Sequence, residues 1–473
     1  VENRLSVKIK LGYAAASVPD AGTYILVNMY FLFFLTTVVG IDPAVAGGIA
    51  AFGIVVNALL CPIMGYISDN TNSRYGRRIP FIFFSAVPMS LALFLMYSNF
   101  GIGGVAEILF YLLMAGIFWG SYSAFFIPYL AMGAELTSDY DERTVLRSYA
   151  YVFNMIGATL GAALTPIFVE AIIKAGGTVS LGWQLAAVLI GGSGVILIFV
   201  TCLATKGKGI IPAKETTKKA LALGRAVIDM VREYADIIKP RSVKILIAVS
   251  IIYLAANTIH LSGRMYFYTY NLGMSGSQIT LFLLFVTVCG LVLAPVILAF
   301  SEKYDKRKVL IFCMLISSLS IAGMRFIGVD GILELGIFSF MFSIGSSSYW
   351  QLIAALYYDL CELDELLNGK RREGLIVSLG PLAQALSSAL SVQIYGLILK
   401  FAGFNGALAI QSEKTLFWLF NSVSIIPAIL MILVAFLAYK YPIGKKKFGE
   451  ILSQLDIRKK GGTPDLSKLK GVY

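Results

Sequence analysis

The sequence predicts an all-α membrane protein of twelve transmembrane helices arranged as two six-helix bundles. Three observations carry that expectation. The 473 residues are 58% hydrophobic and only 14% charged, with mean hydropathy +0.79, whereas an ordinary soluble domain carries about 25% charged residues. Apolar stretches of at least about 18 residues, enough to cross a ~30 Å hydrocarbon core, recur twelve times. The second half of the chain also repeats landmarks of the first.

The spans read as 11–38, 42–67, 79–98, 104–133, 146–173, 181–204, 244–272, 277–300, 309–329, 333–358, 374–402 and 415–441. Pro19, Pro62, Pro128, Pro295 and Pro381 fall inside them, which membrane helices tolerate where neighbours satisfy the freed backbone groups. Cations gather in alternate connections: Arg74, Arg77 and Arg78; Arg143 and Arg147; Lys303, Lys306, Arg307 and Lys308; Lys370, Arg371 and Arg372. The connections near residues 40, 100, 274 and 331 have none, so the basic loops and both termini are expected on the cytoplasmic side of the cell membrane. The first span is too long for the apolar core of a signal peptide. The net charge of +12 is spread over short connections that make no nucleic-acid face. Cys61, Cys202, Cys289, Cys313 and Cys361 have no metal-ligand spacing and read as small buried hydrophobes. No metal and no cofactor are expected.

The repeat has a fixed offset. Pro62 and Pro295, Asp69 and Glu302, and Arg74 and Arg307 are each 233 residues apart. A looser pairing sets Glu135, Asp141, Glu142 and Arg143 against Asp359, Glu362, Lys370, Arg371 and Arg372. Two such halves joined by a polar connection give the parallel-repeat plan of the major facilitator fold, with a solute site near the bilayer midplane. The expected divisions are an N-terminal bundle over 1–205, a cytoplasmic linker over 206–243, a C-terminal bundle over 244–441 and a cytoplasmic tail over 442–473. Lys218, Lys219, Arg225, Arg232 and Glu233 make a surface-lying amphipathic helix the expectation for the linker.

Two sets of polar residues call for a role. The first lies at helix ends: Asp69, Arg74, Arg78, Glu135 and Arg143 in one half, and Asp359, Glu362 and Arg372 in the other. They read either as gating ion pairs or as topology anchors.

The second set lies inside the spans. Asp20 is a carboxylate within the first span, costing roughly 2.5–3.5 kcal/mol at bilayer depth, so it is expected to face protein or water. Thr23, Tyr24 and Asn28 share its face at helical spacing, unless Thr23 and Asn28 bond across helices. In the seventh span Asn257, His260 and Arg264 fall at i, i+3 and i+7. Arg264 needs a partner, for which Asp20 or an anionic solute are the candidates. His260, the single histidine, reads either as a packed residue or, with Asp20, as carrier of a coupled proton. Trp119, Tyr122 and Phe126 fall at i, i+3 and i+7 in the fourth span with Ser123 beside them, and read either as packing or as a stacking surface for the apolar face of a solute ring. Trp350 and Gln384 would add contacts from the second half.

The run Asp-Asn-Thr-Asn-Ser-Arg-Tyr-Gly-Arg-Arg from Asp69 to Arg78 resembles the loop after the second helix of the glycoside-pentoside-hexuronide:cation symporters, the melibiose permease family. So do Ile127-Pro128-Tyr129 followed by Asp139 to Arg143, the stretch Gly369-Lys370-Arg371-Arg372-Glu373-Gly374, and the opening Gly12-Tyr13 to Asp20 with Val38-Val39-Gly40. The resemblance implies import of a glycoside, sugar or uronide by alternating access, driven by a proton or other cation, with Asp20 accepting sugar hydroxyls. It also shows departures. Where the family's sodium users place two aspartates and an asparagine in the second helix, this chain has Asn57, Leu60 and Cys61, which leaves Asn57 as the remaining coupling candidate there. The family's fourth-helix aspartate is Phe126, its fifth-helix arginine falls at Tyr151, and its eleventh-helix lysine falls near Gln384 and Ala385.

An enzyme is disfavoured, because one histidine and no paired intramembrane carboxylates leave little from which to build a nucleophile-base pair. The expected partners are a small-molecule solute, a co-transported proton or cation and the lipid bilayer, with the protein acting as a monomer. A carrier of some other anionic or amphipathic organic solute is the alternative.

Overall fold

The computed structural model describes residues 5–69, 71, 73–137, 140–207, 232–329, 331–369, 372–460, 462–469 and 471–472. Among them twelve helices are long and apolar enough to cross a membrane: α1 (Val7–Val39), α2 (Pro43–Asp69), α3 (Ile79–Met96), α4 (Gly104–Gly133), α5 (Val145–Lys174), α6 (Val179–Thr205), α7 (Arg241–Asn271), α8 (Gly276–Lys303), α9 (Lys306–Ile327), α10 (Ile332–Asn368), α11 (Leu375–Ala402) and α12 (Glu413–Lys440). Each coincides with one of the twelve apolar stretches. The largest difference is α10, which runs ten residues past the expected end through Asp359, Glu362 and Asp364. A thirteenth helix, α13 (Lys445–Lys459), follows.

The repeat is visible in the backbone. α1 ends in a π-helical turn at Leu35–Val39 and α7 in another at Phe267–Asn271, each followed by a glycine at positive φ, Gly40 and Gly273. A glycine suits those ends because an L side chain resists the left-handed region. Pro62 and Pro295 both lie inside their helices.

The chain forms two compact units whose limits cut across the sequence halves. The first comprises Val1–Thr216, Leu261–Leu284 and Val392–Phe420; the second comprises Thr217–His260, Phe285–Ser391 and Asn421–Tyr473. The first unit therefore contains α1 to α6 together with the ends of α7, α8, α11 and α12 away from the basic loops. At that end Tyr266 and Thr36 share a hydrogen bond of 2.6 Å, and Gln393 donates to the Ala44 carbonyl at 3.2 Å. The Glu170 carboxylate accepts from the Ser277 hydroxyl at 2.8 Å, and Lys400 pairs with Asp42 at 3.2 Å.

Within the first unit α1 and α5 touch backbone to backbone. A Cβ at Gly157 would overlap the Val18 carbonyl, and one at Gly161 would overlap the Gly22 carbonyl. Gly157→Ala is expected to cost at least about 2 kcal/mol, because overpacking against backbone has no flexible neighbour to yield. A thermal melt of the purified variant in detergent checks this.

In the second unit the stretch expected to be a tail is instead part of the fold. Ile451, Leu455, Leu469 and Val472 are buried in its core. The Ser242 amide donates to the Val472 carbonyl at 3.2 Å, and Arg458 donates to the Leu366 carbonyl. Lys218, Lys219 and Arg225 of the linker lie outside the described residues, while Arg232 and Glu233 lie in a helical segment over 232–237.

Candidate functional site

Asp20 owes its position to a break in α1. Pro19 has no N–H for the Ala15 carbonyl, and its ring crowds that carbonyl, so one helical segment ends at Ala15 and a second starts at Ser17 with Asp20 in its first turn. The residue is 7% exposed. One carboxylate oxygen accepts from the Tyr122 hydroxyl at 2.6 Å and the other from the Asn154 side-chain amide at 3.2 Å. Arg147 lies within electrostatic range.

Around Asp20 the predicted aromatics form one cluster. The Tyr122 ring stacks on Phe126 with centroids 5.5 Å apart, meets Trp119 edge-on at 5.4 Å and lies 6.0 Å from Tyr24. Tyr24 in turn meets Trp119 edge-on at 5.7 Å. Ser123 donates to the Asn57 side-chain oxygen at 2.7 Å, with the Cys61 thiol 3.5 Å from that oxygen. Five of the predicted residues, Asp20, Tyr24, Trp119, Tyr122 and Phe126, are thus brought together in the first unit, with the Asn57–Ser123 pair beside Trp119 on α4.

The remaining predicted residues take the following places. Among the described residues Thr23 and Asn28 make no bond across helices; they donate within α1, to the Pro19 and Tyr24 carbonyls at 2.7 and 2.8 Å. Asp20 is not the partner of Arg264. That arginine lies by the Tyr30 and Tyr268 hydroxyls, and Tyr30 is ten residues beyond Asp20, about 15 Å of helix rise away. Its Nε is buried without a hydrogen bond. In the second unit His260 stacks on Phe342 at 4.0 Å, and its Nδ1–H donates to the Val423 carbonyl at 2.9 Å. Asn257 and Gln384 are half-buried there. Trp350 is 48% exposed.

The helix-end charges pair inside each unit. Arg78 binds Asp69 and Glu135, the latter at 2.8 Å, and Arg77 binds Glu135 at 2.7 Å, which staples the ends of α2, α3 and α4. Arg74 is exposed and lies over the Tyr75 ring, and the side chain of Arg143 lies outside the described residues. In the second unit Asp359 pairs with Lys306 at 2.9 Å, so α9 meets α10 as α3 meets α4. Arg372 binds Asp364 at 2.5 Å rather than Asp359 or Glu362, and Asp364 raises the guanidinium pKa above its ordinary value. Glu362 has no ion pair among the described residues. Sequence reasoning missed Asn154, Lys306, Asp364 and the pair of Lys10 with Glu142 at 2.6 Å. Only the lone asparagine in an apolar run was a usable signal.

Residues 12–445 match the family described as MFS/sugar transport protein. The chain belongs to that family. The major facilitator architecture and the glycoside-pentoside-hexuronide:cation symporter resemblance read from the motifs agree with it, and this multi-pass transporter has relatives along almost its whole length. It is 25% identical to an uncharacterised symporter of Bacillus subtilis (strain 168), over 97% of this chain and 96% of the relative. It is 24% identical to the isoprimeverose transporter of Lactiplantibacillus pentosus, over 81% and 78%, and 22% identical to a glucuronide carrier protein homolog of Escherichia coli (strain K12), over 97% and 98%. The crystal structure of a D-xylose-proton symporter has the same fold, with a TM-score of 0.61 at 15% identity, covering 92% of this transporter and 99% of that chain.

Proposed function

We propose that this transporter imports a glycoside, sugar or uronide through a site built on Asp20, by alternating access, with a proton or other cation co-transported. One observation carries the reading: a buried carboxylate held by two neutral donors and ringed by aromatic side chains, in a member of a sugar-transport family. An ionised carboxylate accepts two hydroxyls of a sugar diol, and Tyr24, Trp119, Tyr122 and Phe126 offer the faces on which an apolar ring edge packs. The relatives named for isoprimeverose and for a glucuronide support the solute class.

Coupling rests on Asp20. The Asn57 oxygen is already taken by Ser123, and no carboxylate stands at residues 57, 60 or 61. His260→Ala is therefore expected to lose about 1–3 kcal/mol of stability through its hydrogen bond and packing while the pH dependence of uptake stays as in the parent. Uptake measured across pH checks it. The basic loops face the cytoplasm of the cell membrane, as do both termini, and the protein works as a monomer of two six-helix halves.

The test is a thermal-stabilisation panel of lactose, isoprimeverose and phenyl β-D-glucuronide, with and without sodium and across pH, followed by counterflow in proteoliposomes. A sugar that raises the melting temperature and shows saturable counterflow supports the reading. Failure of all three in both assays rejects it.

A further inference from the structure

Asp20 does not hold its own orientation. Its second oxygen is aimed by Asn154, whose side-chain amide donates at 3.2 Å from α5. The helix that carries this amide is held close, because Gly157 and Gly161, three and seven residues further along it, sit where any side chain would strike the α1 backbone at Val18 and Gly22. The π-helical turn Leu160–Leu164 follows directly, and the Tyr30 hydroxyl donates to the Ala162 carbonyl within it. The close α1–α5 contact therefore keeps the backbone of Asn154 beside that of Asp20, within reach of the amide–carboxylate bond.

We propose that Asn154 is a positioning residue of the solute site, which sets the orientation of the Asp20 carboxylate and presents its own amide oxygen to a second hydroxyl of the same sugar. The inference rests on the reading of Asp20 as the sugar ligand. The chemistry follows from the amide. Against an ionised carboxylate only the nitrogen can face Asp20, so the amide oxygen and the second N–H are turned away and free to meet a polyol. The carboxylate then meets the solute with one oxygen tied to a fully packed phenol, Tyr122, and the other to an amide that also recognises the solute. Two adjacent acceptors, one charged and one neutral, select a solute with two neighbouring hydroxyls. Asn154 is half-buried, which leaves it room to do so.

Among the described residues the charged and titratable groups facing Asp20 are Tyr122 of α4, Tyr13 within α1, Tyr129 of α4 and Arg147 of α5. None is a second carboxylate, so Asn154→Asp creates one at a defined place. Two carboxyls facing each other at this distance cannot both ionise and must share a proton. As pH rises that proton leaves, the like charges repel, and sugar binding is lost on the alkaline side.

The experiment titrates lactose, isoprimeverose and phenyl β-D-glucuronide into the full chain in nanodiscs, as parent, N154L, N154Q, N154D and D20N, from about pH 5.5 to about pH 8.5. The expected result is that N154L raises Kd about ten- to a hundredfold, N154Q recovers part of that loss, and N154D binds at acid pH and fails at alkaline pH. A role confined to helix packing would lower binding by N154L, N154Q and N154D alike at every pH, in step with melting temperature, and that result overturns the proposal. Parent-like Kd and pH profile in N154L and N154D, with binding lost in D20N, overturns it alone. Parent-like binding by D20N overturns the reading of Asp20 and this inference with it.

Discussion

Asp20→Asn is expected to abolish measurable sugar binding while the protein still folds. The substitution keeps the shape of the side chain but removes the charge and turns one of its two acceptors into a donor. Tyr122 and Asn154 then face a group that can accept from only one of them well. A hydrogen bond to a charged group contributes about 1.5–3 kcal/mol, so losing two to a sugar diol weakens binding by more than about a hundredfold. Folding survives, because a carboxylate at this depth is itself costly and its neutral replacement is not. Equilibrium binding and a melt on the same sample separate the two effects.

Glu135→Ala is expected to produce the largest loss of stability among the helix-end charges. The Arg78 side chain is 7% exposed and Glu135 8%, and Glu135 accepts from Arg77 and Arg78 together. Breaking a buried pair from one side costs about 3–5 kcal/mol because the other charge stays behind; Ser68, donating no charge but accepting from Arg78 at 2.6 Å, and Asp69 keep the figure near the lower end. Asp69→Ala removes a carboxylate that is 57% exposed and is expected to cost no more than about 1 kcal/mol. Chemical unfolding of the two variants in the same detergent checks the contrast. Ser68 and Asp69 lie on α2, Arg77 and Arg78 just before α3, and Glu135 just past α4, so the strength of this cluster sets how firmly those three helix ends are held together.

Most of the fold was legible because bilayer solvation leaves a direct mark on composition: a span must be long and apolar, and all twelve were. The repeat was equally plain at Pro62 and Pro295, and the backbone extends it to the π-helical turns and to Gly40 and Gly273. What hydropathy could not show was where a helix continues through charge. α10 runs on to Asn368 because Lys306 and Arg372 neutralise Asp359 and Asp364, and a window of hydropathy stops at the first of them. The tail escaped for a related reason: its buried Leu469 and Val472 are two apolar residues in a polar stretch, and only their tertiary seat makes them core.

Within the site, spacing on one helix grouped Asp20 with Tyr24, and Trp119 with Tyr122 and Phe126, since those relations are local. Asn154 stood out as a lone asparagine in an apolar run, but its pairing with Asp20 was not legible, because that partner lies 134 residues away and the neighbouring glycines are informative only once α1 is against them. The pairing of Arg264 with Asp20 failed for want of depth: a helix rise of about 1.5 Å per residue puts Tyr30, beside Arg264, well above Asp20. Pro19 was seen as tolerated within a span, whereas it is the reason the span breaks and gives Asp20 a helix end.

The most direct measurement is a structure of the transporter bound to whichever of lactose, isoprimeverose and phenyl β-D-glucuronide stabilises it. The account predicts sugar density with two hydroxyls within about 3 Å of the Asp20 carboxylate and the ring against Tyr24, Trp119 or Tyr122. Sugar density that touches none of Asp20, Tyr122 and Asn154 would contradict it.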